Sequence, residues 1–421
     1  MKHPLLHVTS FLLLLFTMSC TPTENKTSPT SEITAEKILG DSNYLAISYG
    51  GYRQKTRDIQ PTLDEIKEDL KIMSAMGIKV LRTYNVHLAE ASNILKAITE
   101  LKAADENFEM YVMLGAWIDC KDAWTPNPDH YGESERNAVE IDRAVELTKQ
   151  YPDIVKIIAV GNESMVKWAT TYHVQAGVIL KWVNHLQDLK KKGELPASLW
   201  ITSSDNFASW GGATDNYKTD DLTKLIQAVD YVSMHTYPMH DTHYFPQFWG
   251  ILNEEDSMSD REKVDAAMLR TKDYAISQYD SVKRYLDSLG IKKPIHIGET
   301  GWASQSNEHY GNTGSKATDE YKSAMFYKLM RDWTNKAGIS CFYFEAFDEQ
   351  WKDDKNVLGS ENHFGLITLQ SEAKYALWEA VDKGIFKGLT RNGKPITKTY
   401  NGNMDSMWKE IKLPPALVRN K

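Results

Sequence analysis

Between residues 44 and 344 the chain carries eight short apolar runs, with longer stretches of helical spacing between most of them. No other feature constrains the fold as tightly. The runs lie at 44–49, 79–84, 110–116, 155–160, 199–203, 231–234, 294–298 and 339–344, several rich in β-branched and aromatic residues. Continuous rather than alternating apolar runs are the mark of parallel strands buried on both faces. Between them, Thr62 and Glu65 form a capping box ahead of Leu63, Ile66, Leu70 and Met73 on one helix face, and similar periodicity runs through 88–102, 136–149, 174–191, 262–289 and 317–334. Eight strands alternating with helices predict an α/β fold, a single (β/α)8 TIM barrel. A doubly wound sheet is the alternative, but no Gly-rich dinucleotide turn follows the first strand.

The ends read differently. Lys2 precedes the apolar run Leu12, Leu13, Leu14, Leu15 and Phe16, which has signal-peptide length and closes on Thr17, Met18, Ser19 and Cys20. A small residue before a cysteine resembles the lipobox of bacterial lipoproteins; an ordinary export signal with an incidental cysteine is the other reading. The expectation is removal of 1–19, a lipid anchor on Cys20, and a flexible Thr-, Ser-, Pro- and Glu-rich tether over 20–39. No other apolar run reaches the roughly 18 residues that span a bilayer. An exported protein tethered to a bacterial membrane is therefore expected, with the barrel over 40–383. The tail, 384–421, carries Asn392-Gly393 and Asn401-Gly402, which predict a small hairpin appendage.

Composition excludes some functions. The formal net charge is −8 and no long Lys/Arg block occurs, so nucleic acid is not an expected partner. Three cysteines cannot build a disulfide framework. Cys120 reads as a loop-end thiol and Cys341 as a buried strand residue. The 12 Trp and 21 Tyr supply many flat faces, which serve sugar stacking and core packing alike.

Barrel chemistry sits where strands end. The second strand ends at Arg82-Thr83-Tyr84, the third at Gly115-Ala116-Trp117, the fourth at Gly161-Asn162-Glu163 and the sixth at His235-Thr236-Tyr237-Pro238. The seventh ends at Gly298-Glu299-Thr300-Gly301-Trp302 and the eighth at Phe344-Glu345-Ala346-Phe347-Asp348-Glu349. Glu163 and Glu299 stand at tips three strands apart and point into one mouth. Hydrolysis of a glycosidic bond needs two such carboxyl groups, about 5–5.5 Å apart when configuration is retained. Strand-end glutamates also form ion pairs or bind metals, and position alone leaves these readings open.

The local words narrow the choice. Ile158-Ala159-Val160-Gly161-Asn162-Glu163 and Ile297-Gly298-Glu299-Thr300-Gly301-Trp302, in that order, closely resemble glycoside hydrolase family 17, the β-1,3-glucanase family. Ile47-Ser48-Tyr49-Gly50, Arg82-Thr83-Tyr84 and the stretch from Phe344 to Lys352, with Glu361 and Phe364-Gly365-Leu366 after it, extend the resemblance over residues 44–380. It implies Glu163 as general acid/base, Glu299 as nucleophile, Glu349 and Lys352 as a pair beside the nucleophile, and Asn162 on the sugar 2-hydroxyl. Arg82, Tyr84, Tyr237, Trp302 and Glu361 become candidate substrate-binding residues; ion pairing for Arg82 and Lys352, and packing for the aromatics, stay open. Plant members carry Asn at the position of His235.

Residues 235–260 form a long insert after the sixth strand, dense in His240, His243, Tyr244, Phe245, Phe248 and Trp249. Trp249 either stacks on sugar at an outer subsite or packs the loop onto the barrel. The histidine spacing matches no strong zinc motif, so neither metal nor cofactor is expected. The resemblance implies a monomeric, retaining endo-β-1,3-glucanase whose partner is a laminarin-like β-1,3-glucan. An exo-glucanase or β-1,3-glucanosyltransferase is the enzymatic alternative, and a non-catalytic surface glycan-binding lipoprotein the alternative of another class.

Overall fold

The computed structural model describes Met1 and residues 32–417; the signal segment, Cys20 and the tether up to residue 31 lie outside the described residues. The eight runs are eight strands: β1 Leu45–Ser48, β2 Ile78–Arg82, β3 Tyr111–Ala116, β4 Val155–Asn162, β5 Trp200–Asn206, β6 Val232–His235, β7 Ile295–Gly301 and β8 Cys341–Phe344. Each pairs in parallel with the next and β8 returns to β1, closing a barrel. The expected TIM barrel is the fold.

Side-chain alternation along these strands divides the core in two. Leu81, Val112, Leu114, Ile158 and Val160 face outward and are buried beneath the helices, whereas Val80, Met113, Ile157, Ala159 and Phe342 fill the barrel itself. The inner cluster includes Ala35, Ile38 and Leu39 from and beside the short helix α1 (Ala35–Ile38). That burial corrects the expected boundary at residue 40, because the compact unit begins at Ile33.

The flanking helices follow the predicted periodicity: α2 Leu63–Ala75, α3 Ala89–Ala104, α4 Arg136–Gln150, α5 Ala176–Lys191, and farther on α8 Asp260–Ser288 and α9 Glu320–Ala337. The capping box at Thr62 and Glu65 is formed, satisfying orphan N–H groups at the start of α2. Sequence reading misses α6 (Asp220–Ala228), whose nine residues are too few for a clear period.

Two appended regions are packed rather than loose. In the tail, Thr390–Arg391 pairs with Lys394–Pro395 around Asn392-Gly393, the expected hairpin. Its Arg391 is fully buried and donates to Asp69 on α2 at 2.8 Å; Arg53 and Tyr49 donate to the same carboxylate at 2.8 and 3.1 Å. A buried carboxylate is tolerable only when paired and bonded this completely, so the tail joins the barrel unit through a shared ionic hub. The insert after β6 forms a short helix, α7 (Pro238–Tyr244), and turns held by Thr242 to Ser315 at 2.7 Å and by the Arg270–Glu255 ion pair. Trp249 is completely buried, with its indole N–H donating to the Ser315 carbonyl at 2.7 Å. The expected role of Trp249 at an outer sugar subsite is therefore corrected: it is the core that fastens the insert down.

Candidate active site

Above its apolar filling the barrel carries a polar layer built from strand ends. Val80, Leu81 and Arg82 alternate in, out, in, so the last residue of β2 places a guanidinium inside the barrel, 1% exposed. Arg82 forms an ion pair with Glu299 and hydrogen bonds with the Gly298 carbonyl, at 3.0 Å, and the Asn162 side-chain oxygen. A Cβ on Gly298 would collide with the hydroxyls of Ser233 and Ser204.

Glu299 is buried and fully engaged. Tyr237 donates to its Oε1 at 2.6 Å and Tyr84 to its Oε2 at 2.9 Å. Burial alone would raise its pKa, but Arg82, then His235 and the two tyrosine hydrogen bonds outweigh that penalty and hold it at about 2. Burial, followed by the Glu299 charge, pushes both tyrosine hydroxyls up, so they stay protonated donors.

Glu163 stands in a different setting, its side chain 27% exposed. Between Ala159 and Asn162 the register with β5 slips, a bulge that re-aims the strand tip. Gly161 has φ +82° and Glu163 φ +47°, left-handed values that cost a non-glycine residue about 1–3 kcal/mol and recur at functional sites. The turn is clamped: Glu163 N–H donates to Ser204 O at 2.9 Å and Met165 N–H to the Asp205 carboxylate at 2.7 Å. His235 Nδ1 lies 3.1 Å from Glu163 Oε1, and its Nε2 lies 2.8 Å from Ser204 Oγ. The residue that departs from the plant pattern thus touches the expected acid/base. Asp205 is fully buried; burial pushes its carboxyl up to about 7 against the Met165 hydrogen bond, and the nearby Glu163 adds to the rise.

A cleft of about 820 Å³ opens over Glu299 and Asn162. Tyr84, Asn162, Glu299 and Phe344 line its floor; Trp117, Trp124 and Tyr172 come from the loops after β3 and β4, and Tyr52, Glu349, Trp351, Lys352 and Glu361 from those after β1 and β8. Glu361 and Tyr84, candidates from the sequence, both line the cleft.

Four expectations are corrected. The amine of Lys352 pairs with Glu345 and, at 3.4 Å, with Glu349, and the cation paired with Glu299 is Arg82. Arg82 is accordingly enclosed beneath the site rather than presented to substrate. Trp302 is fully buried, with its indole donating to Ala317 O at 2.9 Å and its ring against Phe326 and Trp249, so it is no cleft wall. Cys120, read as a loop-end thiol, is buried at the base of a small hairpin, while Cys341 is buried in β8 as expected. Sequence reading also misses Asp205, because the apolar run of β5 stops at Ser203 and the strand continues to Asn206. Tyr172 and Trp124 carry no local signal at all.

The two carboxyl groups are differentiated. One is stripped of water and held as an anion; the other, at an open and strained tip, can exchange protons with solvent. This arrangement suits nucleophilic displacement assisted by a general acid.

A family model described as the BtgE/BtgC glycoside hydrolase domain matches residues 46–365. A probable glucan endo-1,3-beta-glucosidase, btgC, from Aspergillus terreus is 24% identical over 316 residues, 73% of this chain and 40% of that protein. The chain thus spans about 40% of the length of such curated relatives. The crystal structure of an endo-laminarinase from Formosa Hel1_33_131 superposes with a TM-score of 0.91 at 66% identity, over 92% of this chain and 100% of the other. A Rhizomucor miehei beta-1,3-glucanosyltransferase mutant in complex with laminaritriose, at 20% identity, TM-score 0.53, and coverage of 80% and 97%, shares the fold.

Removing the Arg82 charge should raise the Glu299 pKa, since an opposite charge in contact lowers a carboxyl by about 1–3 units. In Arg82→Met the acidic limb of the pH–rate profile should therefore move to higher pH by about one unit or more, whereas Lys352→Met should leave that limb in place. The pH dependence of kcat for both variants checks this; a limb that moves only with Lys352 contradicts the assignment.

Proposed function

The chain belongs to the BtgE/BtgC glycoside hydrolase domain family, and on that premise we propose that it is a retaining endo-β-1,3-glucanase acting on laminarin-like glucan, a member of glycoside hydrolase family 17. The observation that carries the reading is the contrast between the carboxyls: Glu299 ionised against Arg82 at the end of β7, Glu163 partly open on the β4 tip. Support also comes from the 66% identity to an endo-laminarinase.

Glu299 attacks the anomeric carbon as Glu163 gives its proton to the departing glycosidic oxygen. The bond to the leaving sugar breaks, and a glycosyl ester forms on Glu299. Glu163, now a carboxylate, takes a proton from water, which attacks the same carbon from the face opposite the ester; the ester bond breaks, Glu299 leaves as a carboxylate, and the β configuration is restored. Asn162, anchored through its oxygen on Arg82, keeps an amide N–H₂ for the sugar 2-hydroxyl. The cleft is lined from both walls, which suits binding within a chain and internal cleavage.

Glu299→Gln should lower kcat on laminarin by at least about a thousandfold while glucan binding persists. Glu163→Ala should lose about 10²–10⁴-fold on glucan, with much smaller losses on aryl glucosides whose leaving groups need no proton. Proton NMR of early products should show β anomers. Inverted products, or full activity in Glu299→Gln, would sink the mechanism; binding without turnover by the unaltered protein would favour a glycan-binding role.

The same proposal includes export, a lipid on Cys20, attachment to a bacterial membrane and action as a monomer. The support is the apolar run ending at Ser19-Cys20 and the Thr- and Ser-rich stretch behind it. Membrane fractionation tests it: the full chain should sediment with membranes and Cys20→Ala should not, and equal partitioning would contradict the anchor.

A further inference from the structure

We propose that Trp124, backed by Tyr172, is a stacking subsite for one glucosyl unit of the bound glucan, away from the bond that is cleaved. This rests on the glucanase reading above and gives the cleft a specific outer contact.

Trp124 is 56% exposed, yet it is held as firmly as a core residue. It sits at the tip of the small antiparallel hairpin that pairs Cys120–Lys121 with Asp129–Glu133. Its backbone N–H donates to Thr171 O at 2.9 Å, and Cys120 N–H donates to Tyr172 O at 3.0 Å, so two bonds tie the hairpin to the loop that follows Glu163. Its indole N–H donates to Asp119 at 3.2 Å. Asp119 is itself buried and held by Arg136 at 3.1 Å and by the Asn137 side chain. The Trp124 ring lies on Tyr172 with centroids 5.0 Å apart and planes 20° from parallel, and Tyr172 contacts Trp117 at the tip of β3.

The backbone adds a second observation. Asp122 has φ +54° and Trp124 φ +64°, a left-handed conformation that a bulky residue adopts only where its surroundings enforce it. A loop under no functional demand would place Gly or Asn there and would bury its indole or dispense with it. Here one indole face rests on Tyr172 while the ring lines the same cleft as Glu299. The C–H groups of a β-glucosyl ring form an apolar face of matching size, and an aromatic plane fixed in advance loses little entropy on meeting it. The exposed aromatics of the insert after β6, Tyr244 and Phe245, do not line this cleft.

The experiment compares kcat/KM on laminarin with that on the shortest laminari-oligosaccharide the protein cleaves. It uses the unaltered protein, Trp124→Asn, which removes the ring but suits a left-handed backbone, and Trp124→Phe, which keeps an aromatic face. The ratio of long to short substrate should fall about tenfold or more in Trp124→Asn and recover substantially in Trp124→Phe, with the melting temperature of Trp124→Asn no lower than that of the unaltered protein. An unchanged ratio, or one lowered equally by both substitutions, overturns the subsite while leaving the glucanase reading intact. Failure of the unaltered protein to cleave any laminarin overturns both.

Discussion

The ion pair between Arg82 and Glu299 is the interaction on which the rest of the site depends. Neither charge would be tolerated inside a barrel alone, since the desolvation of each costs several kcal/mol and is offset only by a close partner and complete hydrogen bonding. The partners come from four strands: Asn162 from β4, the Gly298 carbonyl from β7, Tyr84 beyond β2 and Tyr237 beyond β6. The same pair that satisfies the interior electrostatically keeps Glu299 ready as an anion.

Glu163, the proposed acid/base, obeys the opposite requirement. A group that must lose and regain a proton in every cycle needs access to water and a field that changes with its own state. Glu163 obtains access from the bulge and left-handed turn that lift it out of β4, and the cost of that turn is met by the bonds to Ser204 and Asp205 on the neighbouring strand. His235 touches its carboxyl, and Asp205 lies buried behind it. Barrel geometry thus places two chemically identical side chains in contrasting environments.

Much of this was legible in the sequence, for a physical reason. Parallel strands buried on both faces read as unbroken apolar runs, so all eight were visible and, with them, the tips that carry Glu163 and Glu299. Proximity along the chain misled where tertiary contact decides. Lys352 follows the eighth strand closely, yet it serves Glu345 and Glu349, and the cation on Glu299 comes from β2. For Trp249 and Trp302 residue type allows sugar contact and packing alike, and their burial depends on tertiary contact with Ser315 and Ala317. Trp124 and Tyr172 are far apart in sequence and meet only because two loops pack together.

The central claim is that Glu299, held as an anion by Arg82, forms the covalent bond to the sugar. A 2-deoxy-2-fluoro laminaribioside with an activated leaving group tests it most directly: the fluorine slows both steps, and the leaving group restores only the first, so the intermediate accumulates. Intact-protein mass spectrometry should show one added glycosyl moiety, and peptide mapping should place it on the segment containing Glu299. Turnover of laminarin without any such adduct, or an adduct carried by another carboxylate, would contradict the account.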